Sequence, residues 1–170
     1  VDIAVELGQV SQTSLVRWLK TQSFRSRAHI ALIDIVVESR REFLKENEAA
    51  TYGEYIYLVT HVLRHWLPDV FWGTGFGPPY VALFGKDRLL SAPVAVAEEI
   101  ADDMIYIQLT DKLTDVVDAE SSVETARTAF KRHVAVDAFY ESGRGYSIHD
   151  SEAVGNVFAV PEFELDKIED

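Results

Sequence analysis

The sequence predicts an α+β fold: a layer of about four helices packed on a small, mainly antiparallel β-sheet. Three observations carry that expectation. Before Pro93, apolar residues recur at three-to-four spacing in several long segments. After it, two short runs flank Ala101-Asp102-Asp103, and Met104–Thr110 alternates with Ile105, Ile107 and Leu109 on one face. The composition, 48% hydrophobic and 26% charged over 170 residues, suits one globular unit and not a disordered chain. Residues 1–160 are expected to form a single domain, followed by an acidic tail over 161–170.

The elements follow in order. Val1–Leu7 alternates and is short, as a strand would be. Ser11 and Ser14 offer caps for a helix through Leu15, Val16, Trp18 and Leu19, and Phe24–Arg27 breaks its pattern. Ala28–Asn47 is the strongest predicted helix, with Ile30, Ile33, Val37 and Leu44 at helical spacing and a first half apolar nearly all round. Thr51 caps a third helix from Tyr52 to about Leu67, ended by Pro68. Phe71–Tyr80 has three glycines, two prolines and four aromatics, and reads as a loop. Short helical turns follow at Tyr80–Phe84, stopped by Gly85, and at Lys86–Ser91. Val94–Ile100 and Met104–Thr110 make a β-hairpin. Ser121 and Ser122 cap a last long helix to about Tyr140, then Gly143–Gly145 turns and Ser147–Val160 gives one or two short strands.

Charge narrows the classes of function. Lys and Arg total 16, Asp and Glu 28, for a net charge of -12. Nonspecific binding to nucleic acid or anionic lipid needs the opposite sign, so neither is expected. An acidic surface suits a basic protein partner. Between Arg17 and Lys45, seven basic residues (Arg17, Lys20, Arg25, Arg27, Arg40, Arg41, Lys45) face Asp34, Glu38 and Glu42, a surplus of +4 that leaves -16 elsewhere. Pro161–Asp170 sets five acids against Lys167. The basic stripe is a solvated helix face or the counterpart of that tail, within the fold or across a homo-oligomer. No cysteine is present, which removes disulfides, Cys-ligated metals and thiol nucleophiles. No apolar run approaches the roughly 18 residues of a membrane-spanning helix, and Val1–Leu7 lacks the features of a signal peptide. A cytoplasmic location is therefore expected.

Several residue groups are candidates for chemistry. On a helix over Tyr52–Leu67, Glu54, His61 and His65 fall within about 40° of one another, a face that suits a metal ion. His133 and Asp137 with Glu141, and His29 with Asp34 and Glu38, form looser stripes without the Glu-x-x-His pairs of a di-metal bundle. Ser147, His149 and Asp150 have hydrolase residue types but lie too close in sequence to form both linked hydrogen bonds. Gly73–Gly77 has the glycines of a phosphate loop without its Gly-Lys-Ser/Thr. In the same stretch Trp72, Phe76 and Tyr80 are large rings on a stiff backbone. With Tyr106, and with Asp102 and Asp103 at the hairpin turn, they are the expected partner-binding residues. The alternative role for these rings is to lid the core.

Arg127 and His133 are spaced in a way that resembles the Arg-x(4–6)-His motif of the HEPN ribonucleases. In that family the two residues form the nuclease site, so the resemblance implies RNA cleavage by Arg127 and His133. On a straight helix they lie about 240° apart. In composition the chain is similar to the immunity proteins of bacterial toxin systems, whose acidic and aromatic surfaces cover a basic toxin. That resemblance implies a non-enzymatic protein that covers a basic protein partner and needs no cofactor. Two alternatives stand beside it: a metal-dependent enzyme or metal-binding protein built on Glu54, His61 and His65, and a structural subunit of a larger assembly.

Overall fold

A computed structural model of the chain describes residues 8–37, 50–52, 55–57, 67, 69–139 and 162–163. Helix α1 (Gln12–Ser26) starts where its cap predicts. Ser11 has extended backbone, and its hydroxyl accepts the Ser14 amide at 3.2 Å, so one of the helix's orphan donors is satisfied. At the other end Arg27 turns left-handed (φ 51°), and the Ala28 amide closes on the Ser23 carbonyl at 2.9 Å.

Beyond α1 two predicted helices are corrected. Ile30–Ile33 is strand β1, and 34–37 is irregular, where the sequence predicts the helix Ala28–Asn47. Ile30, Ile33, Ile35, Val36 and Val37 are β-branched and lose rotamer freedom in a helix. A continuous apolar run satisfies helical spacing and equally suits a strand covered on both faces. Ala50–Tyr52 (β2) and Tyr55–Tyr57 (β3) then pair antiparallel, with Thr51 opposite Ile56, where the third helix was expected to begin. Five of these six residues are aromatic or β-branched, types that favour a pleated surface. Residues 38–49 and 58–66, like Val1–Leu7 and Ser147–Val160, lie outside the described residues.

Strand β4 (Gly73–Phe76) runs directly into helix α2 (Pro78–Phe84), and Gly85 separates that from α3 (Lys86–Leu90). Pro at the first helical position costs α2 no hydrogen bond. The predicted hairpin is present as β5 (Val96–Ala101) and β6 (Met104–Gln108). Helix α4 (Asp115–Asp118) precedes α5 (Glu120–Val134). Helix α5 stops short of the predicted Tyr140: a 3-10 turn at Val136–Ala138 brings Phe139 alongside Leu67, whose amide donates to the Ala138 carbonyl at 2.7 Å.

Four strands form an antiparallel sheet in the order β1-β4-β6-β5. The register aligns Ala31, Gly75, Tyr106 and Glu98 in one row and Ile30, Phe76, Ile105 and Glu99 in the next. Side chains alternate across a strand, so these rows face opposite ways. The first lies under α1. The second meets α2, α3 and α5, where Phe76 stacks on Phe130 (5.9 Å between centroids) and Phe84 on Phe139 (6.3 Å). A smaller cluster joins Trp72, Leu113 and Val116 to Leu15 and Val16 of α1. Phe163, which the charge count places in the acidic tail, is buried in the main core, 5.2 Å from the His29 ring. Among the described residues no helix is long and apolar enough to cross a membrane.

Candidate functional site

The four rings assigned to a partner surface are core residues. Trp72, Phe76 and Tyr106 are 0% exposed and Tyr80 is 1% exposed, so none presents a face to solvent. The glycines that suggested a loop have another use. A Cβ on Gly75 would lie 3.5 Å from the Ala31 Cβ and 3.8 Å from Leu19 of α1, and one on Gly73 would lie 2.8 Å from the Tyr106 hydroxyl. Absent side chains at these positions let α1 and the Tyr106 ring lie close on the centre of the sheet. The same placement removes the phosphate-loop reading of Gly73–Gly77, because Gly73–Phe76 is a strand paired on both sides.

Tyr106 is held from all sides. Lys20 of α1 sits 4.3 Å from its ring centroid and pairs with Glu98, the cross-strand neighbour of Tyr106. The phenol donates to Gln108 at 3.2 Å. Burial, reinforced by the Glu98 charge, pushes the Tyr106 phenol well above its usual pKa. Burial does the same to Tyr80, whose hydroxyl meets no hydrogen-bond partner among the described residues. Trp72 donates its indole N–H to Thr110 at 3.1 Å.

Asp102 and Asp103 are exposed at the β5–β6 turn. Asp103 holds φ 55°, a left-handed position that an aspartate tolerates better than most residues. Lys86 pairs with Glu99 beside the turn, and hydrogen bonding to Glu99, with Asp102 and Asp103 nearby, raises the Lys86 pKa. Of the expected partner-binding residues, these two aspartates are the ones that meet solvent.

A buried charge cluster that the sequence pattern does not predict centres on Arg127. Arg127 on α5 is 3% exposed. Its Nε donates to the Val70 carbonyl at 2.7 Å and lies 3.5 Å from Asp69, its Nη2 lies 3.9 Å from Asp34, and its Nη1 bonds Glu124. Lys131, one turn along, pairs with Asp69. The groups join α5 to the end of β1 and to the chain entering β4. One signal was present in the sequence: Arg127 falls on the stripe Val123, Phe130 and Val134, where a helix of this kind carries apolar residues.

His133 serves elsewhere. Its Nε2 donates to the Arg88 carbonyl at 2.9 Å and lies 3.3 Å from the Ser91 hydroxyl, while Arg88 donates to the Val134 carbonyl at 3.0 Å. These bonds clip α3 to α5. Arg127 and His133 therefore contact different partners and do not converge on a common point, so the geometry expected of the nuclease motif is not formed. Glu54, His61 and His65 lie outside the described residues. Among the described residues no group of three His, Asp or Glu side chains is arranged to hold a metal ion. Compared with known proteins, the chain matches no family model, no curated protein and no solved structure.

Proposed function

We propose that this chain is a non-enzymatic protein that binds a basic protein partner, as an inhibitor or immunity protein does. The observation that supports this reading is the exposed Asp102–Asp103 turn on a chain of net charge -12. The turn is the tip of a hairpin whose β6 strand is buried throughout, so its carboxylates are presented on a stiff support. Recognition then rests on charge: the acidic surface speeds encounter with a positive partner and aligns it. The buried rings Trp72, Phe76, Tyr80 and Tyr106 contribute rigidity to that support.

Native mass spectrometry of the protein purified from its own host at low salt tests the reading. The expected result is a co-purifying basic protein at fixed stoichiometry. Its association rate should fall steeply with salt, and Asp102→Asn with Asp103→Asn should slow association by about threefold while leaving dissociation nearly unchanged. A chain recovered without such a partner, or an association rate indifferent to salt, refutes it.

A further inference from the structure

Helix α1 has one sign of charge on a chain dominated by the other. Its 15 residues hold Arg17, Lys20 and Arg25 and no acid. Lys20 is paired with Glu98, whereas Arg17 and Arg25 are exposed and meet no carboxylate among the described residues. Steps of about 100° from the buried Leu19 and Ser23 set Phe24, Arg17, Thr21, Arg25 and Trp18 across the outward arc. Phe24 is 60% exposed and Trp18 39%. A single exposed ring needs no explanation. Two rings flanking two arginines that meet no carboxylate among the described residues have the composition of an interface anchor, where Trp and Arg are enriched.

The register supplies the counterpart. Arg27 and Ala28 lead into β1 at Ile30, and the row of Ile30 runs through Phe76 and Ile105 to Glu99. The Asp102–Asp103 turn lies just beyond that same end of the sheet. Strands β1 and β5 are the outer strands of the four, so the basic end of α1 and the acidic turn share one end of the sheet near opposite edges. A half-turn about the sheet normal at that end sets the α1 end of one copy against the acidic turn of another. The same rotation makes the reverse contact.

We propose that two copies of this chain form a two-fold dimer in which Phe24 and Arg25 of each copy meet the Asp102–Asp103 turn of the other. The contact gives Arg25 a carboxylate partner and covers the most exposed ring of α1. The dimer does not rest on the basic partner proposed above and is read on the purified chain alone. If both hold, the basic partner must displace the second copy to reach the turn.

Sedimentation velocity of the full chain, over a range of concentrations at about 20 mM and about 500 mM salt, tests the proposal. A concentration-dependent dimer is expected that weakens as salt rises. Arg25→Glu or Asp102→Arg alone should weaken it about tenfold or more, because each change acts at two symmetric contacts. The two changes together should restore it. Both positions are exposed, so thermal melting should show each variant folded. A chain that stays monomeric at every concentration at low salt overturns the proposal. So does a dimer indifferent to both single changes, and so does a monomer that shifts a single-stranded oligonucleotide through Arg25.

Discussion

Arg127→Met is the most direct test of what holds the last helix in place. Methionine keeps much of the volume of the arginine stem but cannot donate a hydrogen bond. The change takes a cation away from Asp69 at 3.5 Å and Asp34 at 3.9 Å, carboxylates whose side chains are 2% and 3% exposed, and removes the 2.7 Å bond to the Val70 carbonyl. Breaking a buried ion pair from one side costs about 3–5 kcal/mol. Lys131 still holds Asp69, so the lower end of that range, about 3 kcal/mol, is expected. For a chain of this size that is a fall in Tm of roughly 6–12 °C. Urea unfolding followed by circular dichroism measures it, with an unchanged slope showing that the two end states are the same. Arg127→Lys, which keeps the charge and loses the planar fork, should fall between the two. If Arg127→Met unfolds within about 1 kcal/mol of the parent chain, the cluster adds nothing net and the reasoning is wrong.

Other predictions concern single positions. Gly77→Ala would drive its Cβ into the Ala28 carbonyl and within 3.0 Å of the His29 Cα, backbone atoms with no room to give, so it should cost more than about 2 kcal/mol; Gly75→Ala meets ordinary contacts and should cost about 1 kcal/mol or less by the same urea assay. Tyr80→Phe removes a buried hydroxyl that has no partner among the described residues and should be neutral or stabilising by up to about 1 kcal/mol, whereas Tyr106→Phe loses the bond to Gln108 and should cost about 1 kcal/mol. Both phenols have folded pKa values above the ordinary 10.0, so the unfolded chain ionises first and stability falls as pH rises beyond that value. Alkaline denaturation should therefore start at higher pH in either phenylalanine variant. Ser11→Ala should cost about 1 kcal/mol, seen as a lower Tm, because the Ser14 amide loses its cap.

Where local chemistry decides the backbone, the sequence was legible. Ser11 starts α1, Gly85 ends α2, and the alternation of Met104–Gln108 about an aspartate turn makes the hairpin. Each of these depends on neighbours within a few residues. The candidate site was legible only in part. Asp102 and Asp103 are polar residues at a turn and are exposed as expected. The sequence misplaces Trp72, Phe76 and Tyr80 because the stretch that carries them, a strand running into a helix, has the glycines and prolines of a loop. Arg127, Asp34 and Asp69 come together from three distant segments, and no spacing along the chain signals that meeting.

By itself the sequence determined the α+β class, the acidic balance, the first helix and the hairpin, all of which follow from composition or short-range pattern. Tertiary structure decided that Ile30–Ile33 is a strand and that Gly73–Phe76 is the strand between β1 and β6. An apolar run of β-branched residues can form either element, and the pairing with β4 selects one. Gly73 and Gly75 are buried because α1 and the Tyr106 ring lie over them, and Arg127 is tolerated inside because two carboxylates arrive from other segments to meet it.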